Sequence, residues 1–418
     1  MSGASARAAH DHIEAMTLPE PTRAAALARL EAFAPAMGRA YAATRNHDRG
    51  PDDRGNVSLL SPHVRHRLVT EQELVSAALA RHSASACEKF VQEVFWRSYW
   101  KGWLEQRPSV WADYRARVAE GVAALATEGG LRRAYEDAVS GRTGIACFDA
   151  WARELVGTGY LHNHARMWFA SIWIFTLRLP WTLGADFTYR HFADGDAASN
   201  TLSWRWVAGL HTQGKHYLAR AANIAEYTGG RFDPRGELDE RAPPLEAERP
   251  APAMPLPPPD PAPEGDVALL VTEEDCLPET LPLGRARVIA AAGAGCTAAR
   301  SPLPVGAIAE RFAAGAIDDA LARAGAAFGV STERLAGFDD VAGWAAATGA
   351  RTLVTAHAPV GPVAEALARA GPALAARGIR LRRLRRAWDS AVWPHATRGF
   401  FQVKARIPAI LRALGNPA

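Results

Sequence analysis

The chain is poor in cysteine, and its four, Cys87, Cys147, Cys276 and Cys296, never pair at a Cys-x-x-Cys or other metal-ligand spacing. That spacing argues against zinc-ribbon, iron–sulfur and dithiol redox sites and fits free thiols in a reducing, cytoplasmic setting. No GxGxxG or GxxxxGK[ST] stretch is present, so neither a dinucleotide nor a triphosphate loop is supported. The opening residues, Met1-Ser-Gly-Ala-Ser-Ala-Arg7, lack the apolar centre of a secretory signal. Long hydrophobic runs are missing too. The most apolar one, Trp168 to Leu177, is confined between Arg166 and Arg178; a membrane span needs about 20 residues, so this is a buried helix and no membrane is expected. A strong excess of one charge is also lacking: a net charge of +4 is compatible with a polyanionic partner and does not demand one.

What is present is an ordinary globular composition, 48% hydrophobic and 22% charged over 418 residues, enough for two or three domains. Residues 1–20 are polar and read as an N-terminal arm. Leu27, Leu30, Phe33, Met37 and Tyr41 then recur at helical spacing, with a break at Pro35. Residues 240–264 turn to proline and alanine, a composition that favours an extended, semi-rigid linker. Beyond it, strand candidates at Val267–Val271, Arg287–Ala292, Thr352–His357 and Ile379–Leu384 alternate with helix candidates at Gly306–Ala324 and Val360–Ala376. Residues 265–418 are therefore expected to form an α/β domain, Rossmann-like, on a parallel sheet. The Arg380–Arg386 cluster reads first as a solvated strand face, with contact to phosphate as the alternative.

The polar chemistry lies earlier. Asn163, Arg166 and Met167 are spaced i, i+3, i+4 and share one helix face. Asp194-Gly195-Asp196 follows, then Asn200 and the pair Trp204-Arg-Trp206. Buried acids need partners, and Arg166 is the natural one for Asp194. Upstream, Ser61-Pro62 reads as a helix N-cap with proline at N1. On the helix predicted over Cys87–Leu104, Trp96, Trp100 and Trp103 form an i, i+4, i+7 stripe that by spacing alone is core, and Glu93 and Arg97 are an i, i+4 pair.

In this order and at these separations the motifs resemble the flavin-binding core of the DNA photolyase/cryptochrome family. Its pattern reads roughly W-x-H-N-x-x-R-M, D-G-D-x-x-x-N and W-x-W. Val57-Ser-Leu-Leu-Ser61-Pro62 resembles the family's phosphate-contacting turn, Glu93 to Arg97 its E-x-x-W-R helix, and Gly141 to Ala150 its G-x-T-G entry to a helix. The likeness runs over roughly residues 35–236. It implies a multidomain protein: an all-α FAD-binding domain at 21–239, the linker at 240–264, and the α/β domain as a relocated counterpart of the one that precedes the helices in photolyases.

The resemblance also assigns roles. Ser58, Ser61, Arg97, Asn163, Arg166, Asp194, Gly195, Asp196 and Asn200 would hold FAD. Glu93, Trp96, Asn163, Met167 and Trp206 would receive a flipped-out pyrimidine dimer, which makes damaged DNA the partner and light-driven repair by electron transfer the activity. Trp204 and Trp181 fall at the first two positions of an electron relay. The third position, near Ala124 to Glu128, holds no aromatic, with Trp151, Trp168 or Trp173 as substitutes. His164 and Tyr217-Leu-Ala-Arg220 depart from the family pattern by losing basic groups expected near DNA. The alternative is a cryptochrome-like blue-light photoreceptor without repair, acting on a signalling partner. No antenna chromophore is named by the sequence.

Overall fold

The computed structural model describes residues 18–247 and 249–415. The expected N-terminal arm therefore falls almost wholly outside the described residues. The first half is helical: α1 (Arg23–Phe33), α2 (Arg39–Thr44), α3 (Ser61–Arg65), α4 (Glu71–Arg81), α5 (Ala84–Glu105), α6 (Pro108–Thr127), α7 (Gly129–Val139), α8 (Ala146–Thr158), α9 (Asn163–Ser171), α10 (Trp181–His191), α11 (Ala197–Ala208) and α12 (Ala221–Tyr227). Local chemistry sets the boundaries. Thr22 caps α1 through the Ala25 N–H, and a 3-10 turn holding Pro35 ends it. Thr70 and Glu73 form a reciprocal capping box on α4, and Ser83 caps α5.

The second half supplies β1 (Glu264–Thr272), β2 (Arg285–Ala294), α13 (Ala307–Phe328), β3 (Thr332–Arg334), α14 (Val341–Ala347), β4 (Thr352–Ala356), α15 (Pro362–Ala376), β5 (Arg380–Leu384), α16 (Ala387–Val392) and α17 (Phe401–Ala413). Every strand pair is parallel, in the order β3-β2-β1-β4-β5. β3 had no sequence signal, because its three residues are all exposed and carry no apolar run. The overall class is thus an all-α unit joined to a smaller parallel α/β unit. Arg380 to Leu384 is an edge strand, and the proline-rich segment runs beside it: the Arg383 N–H donates to Asp260 and Arg385 to the Pro257 carbonyl.

Packing crosses the linker. The largest apolar core joins α1–α11 to Phe312 and Ile317 of α13 and to Trp388, Val392, Trp393 and Phe400. The segment from α16 to α17 lies along α5: Trp388 Nε1 donates to Ser98 Oγ at 2.7 Å, and Tyr99 Oη donates to the Arg398 carbonyl at 2.8 Å. Gly102 is required at the closest approach, where a Cβ would come within 2.8 Å of Trp393 Cα.

Candidate functional site

Helix α5 carries the first group. Glu93, Arg97 and Lys101 recur every four residues and so share one stripe. Glu93 is half-buried and paired with Arg45, at the end of α2, at 2.5 Å. Burial pushes the Glu93 carboxyl up, while the Arg45 guanidinium pulls it back. Trp96 is half-buried, with Phe400 stacked on its ring at 3.9 Å and an interplanar angle of 13°. Trp100 and Trp103 turn inward against His211, so only Trp96 of the predicted stripe is left partly open.

The second group is on α9 and the turn before α11. Asn163, the first residue of α9, is exposed; Arg166 and Met167 are half-buried. Arg166 grips the buried Asp194 through both terminal nitrogens, at 3.1 and 2.9 Å, and its guanidinium lies 3.9 Å above the Phe192 ring. Burial alone would raise the Asp194 carboxyl, but Arg166 outweighs it and holds the group below the usual carboxylate range. Asp196 caps α11 by accepting from the Ser199 N–H at 2.7 Å. Against the cost of burial, Lys101, then Arg65 and Arg97, hold Asp196 far below the carboxylate range. Gly195 between them has no room for a side chain: a Cβ would meet the Tyr189 carbonyl at 2.6 Å and Arg300 at 2.7 Å.

The phosphate-turn candidates differ in detail from expectation. Leu60 and not Ser61 precedes α3, a helix of only five residues, so Ser61 does not act as its cap. Ser58 Oγ accepts from the Leu60 N–H at 3.3 Å, and Leu59 between them has φ +57°, an unusual backbone for a branched residue. Ser61 Oγ faces Asp194 without reaching hydrogen-bond geometry. Arg97 Nε and Nη2 and Ser199 Oγ are likewise buried without a protein partner. These donors, gathered around Asp194 and Asp196, are the unsatisfied groups that a buried polar and anionic ligand would complete. A flavin dinucleotide fits that chemistry.

Asn200 is buried, and its amide is already engaged: Nδ2 donates to the Ala185 carbonyl at 2.8 Å and Oδ1 accepts from Thr188 Oγ1 at 2.9 Å. Thr188 Oγ1 also accepts from Trp204 Nε1 at 2.9 Å. Among the described residues the ring neighbours of Trp204 are Phe169 and Trp173, at 6.4 and 6.2 Å, whereas Trp181 lies beside Tyr114 at 6.0 Å. The two tryptophans expected to begin a relay are therefore not in ring contact, and Trp173 takes the position next to Trp204. Trp206 is half-buried, its ring parallel to Tyr217 at 5.8 Å.

Sequence reasoning overlooked what fixes the turn. Lys101 Nζ lies 3.0 Å from Asp196 and 3.7 Å from Glu274. Arg65 donates to the Gly195 carbonyl at 2.7 Å and clamps Glu274 at 2.9 and 2.7 Å. Glu273-Glu274-Asp275 is the loop at the carboxyl end of β1, so the sheet reaches into the helical half with acids that order its cations. The run of three acids directly after a predicted strand, and Lys101 eight residues after Glu93, were the available signals. A second tie is Arg67, which binds Asp389 of α16 through one nitrogen at 2.7 Å to each oxygen.

The family described as the FAD binding domain of DNA photolyase matches residues 90–250. Over these residues the chain is similar to the flavin-binding domain of DNA photolyases. It is 35% identical over 199 residues to a deoxyribodipyrimidine photo-lyase of Streptomyces griseus, covering 46% of this chain and 40% of that one. It is 34% identical over 236 residues to one of Thermus thermophilus, covering 55% and 52%. A 101-residue stretch, 24% of this chain and 14% of the relative, is 35% identical to Cryptochrome-1 of Arabidopsis thaliana. The chain spans about half the length of the curated photolyases it matches. Among the described residues no helix is long and apolar enough to cross a membrane.

Proposed function

We propose that this photolyase-type chain binds FAD and catalyses light-driven reversal of pyrimidine dimers in DNA. The observation that carries the reading is the set of buried groups without a protein partner, Ser61 Oγ, Ser199 Oγ and two nitrogens of Arg97, near Asp194 and Asp196, with Arg97 on the helix that also presents Glu93 and Trp96. When bound, a reduced flavin would supply electron-transfer chemistry for opening a dimer; the chain's own residues would orient and enclose it. Ser58, Ser61 and Arg97 would hold its phosphates. The Arg166–Asp194 pair and the capped Asp196 fix the turn that would hold the rest of the cofactor, with Asn163, Gly195 and Asn200 completing the enclosure. A dimer extracted from the duplex finds Trp96, Met167 and Trp206 as apolar and stacking walls and Glu93 and Asn163 as hydrogen-bonding groups for the base edges. Trp204, with Trp173 beside it, offers an aromatic step away from the cofactor, while Trp181 lies against Tyr114.

One observation favours the second reading, a photoreceptor of the cryptochrome type: Glu93, the expected base contact, is already engaged by Arg45. Purified protein with a flavin spectrum is illuminated under reducing conditions with a dimer-bearing oligonucleotide. Light-dependent dimer loss that disappears in Glu93→Ala supports repair; tightly bound flavin with no dimer loss supports the receptor.

A further inference from the structure

Three successive acids form the loop after β1, and their partners divide. Glu273 serves its own unit: its Oε2 accepts from the Cys296 N–H and from Thr297 Oγ1, both at 2.7 Å. Asp275 takes both donors of Arg386, Nε at 2.6 Å and Nη2 at 2.7 Å, with Arg67 farther off at 3.4 Å. Glu274 gives both carboxylate oxygens to the helical half, to Arg65 of α3 at 2.9 and 2.7 Å and to Lys101 of α5 at 3.7 Å. Those two cations then grip the turn before α11, Arg65 at the Gly195 carbonyl and Lys101 at the Asp196 carboxylate. Ser61 and Arg65 are four residues apart on α3 and share its face, so the clamp on Arg65 also sets the helix that carries Ser61.

Stability alone does not account for this arrangement. The side chains of Lys101, Arg65, Glu274 and Asp196 are all at most 7% exposed, and a buried ion network is often matched or bettered by apolar side chains of the same volume. The two halves are moreover tied elsewhere by an equally buried pair, Arg67–Asp389, whose bonds touch neither Gly195 nor Asp196. What Glu274 adds is geometry: from outside the helical half it fixes the two segments beside the unpartnered Ser61 Oγ, Ser199 Oγ and Arg97 nitrogens. Resting on the flavin reading above, we infer that Glu274 is a positioning residue of the cofactor site, acting through Arg65 and Lys101 on Ser61 and on the Asp194–Asp196 turn. The α/β unit thereby shares in building a site whose ligand-facing groups named above all lie in the helical half.

Full-length apo-protein is titrated with FAD, and its urea unfolding is followed in parallel, for wild type, Glu274→Gln and Asp389→Asn. Both variants lose one buried charge of a tie between the halves, so Asp389→Asn measures what loss of stability alone does to the site. The inference expects Glu274→Gln to weaken FAD binding at least about tenfold and Asp389→Asn less than about threefold. It also expects the fine structure of the bound flavin's absorption band to blur in Glu274→Gln and to stay sharp in Asp389→Asn. Lys101→Met combined with Glu274→Gln removes one charge of each sign, guards against a single variant that fails to fold, and must show the same loss of affinity. If Glu274→Gln or the double variant binds FAD within about threefold of wild type, or loses no more affinity than Asp389→Asn, the positioning role is overturned and the flavin reading stands. A wild type that takes up no FAD overturns the flavin reading, and the inference with it.

Discussion

Lys101→Met is the sharpest test of how the site is held. In the folded protein this ammonium lies between Asp196 and Glu274, with both members of the Lys101–Asp196 pair 4% exposed. Glu274 keeps Arg65 when the lysine is removed, but Asp196 loses its nearest cation. Breaking one side of a buried pair costs about 3–5 kcal/mol. With a urea slope of about 3 kcal/mol per molar, the unfolding midpoint should fall by on the order of 1 M. The pH dependence carries a second signature. The native Asp196 carboxyl is depressed, so its stabilisation is complete above the unfolded value of about 3.9 and is lost only at lower pH, through its far lower folded value. Without Lys101, Arg65 and Arg97 still hold the carboxyl down but less far, so the variant has less stability to lose as the pH falls through the carboxylate range. Urea unfolding followed by circular dichroism at pH 7.5 and at about pH 3 should therefore show a deficit that narrows toward acid. Lys101→Met combined with Asp196→Asn, which removes the stranded charge, should recover most of the loss. A single variant that unfolds within about 0.3 M of wild type at pH 7.5, or a deficit that widens toward acid, refutes the account.

Gly184→Ala places a methyl 2.4 Å from the Trp204 ring and 2.7 Å from Trp173; overpacking should cost about 1–3 kcal/mol, read by thermal unfolding, together with a changed tryptophan emission. Asp186 is buried and pushed up to about 6 by desolvation, against the Ser301 hydrogen bond and Arg190. Its folded value lies above the unfolded one, so its contribution is most favourable below pH 4 and declines as the pH rises through 6. Asp186→Asn should flatten that part of the stability profile, as measured by denaturant midpoints between pH 4 and 7. Arg45→Met strips Glu93 of its counter-ion, so the carboxyl should protonate at higher pH; the acid limb of light-driven dimer loss should move upward, as measured in a pH series of the repair assay.

The architecture was legible where pattern and burial agree. The parallel sheet announced itself in apolar runs such as Val267–Val271, buried on both faces, and the break at Pro35 followed from a missing donor. The Arg166–Asp194 pair was readable because a buried acid must find a cation and one lay on the adjoining helix face. What escaped notice was set by partners distant in sequence. Nothing near Lys101 shows that it is buried, since its carboxylates come from a turn 95 residues on and a strand end 173 residues on. Trp96 looked like core or like a substrate wall, and Phe400, which covers one of its faces, is about 300 residues away. Asn200 matched a motif, but its engagement by Ala185 and Thr188 depends on how α10 and α11 cross.

The cover on α5 arrives late in synthesis. Ser98 meets Trp388 across 290 residues, and at about 5–20 residues per second a ribosome needs roughly 15–60 s to bridge that gap. During this interval Phe95, Trp96 and Tyr99 have no Trp388 or Phe400 to rest on, so the nascent chain displays an aromatic stripe for far longer than a helix takes to form. Assembly of the helical half is thereby coupled to completion of the α/β unit, and a chain truncated after the linker would leave a sticky, unfinished helix instead of a smaller folded unit.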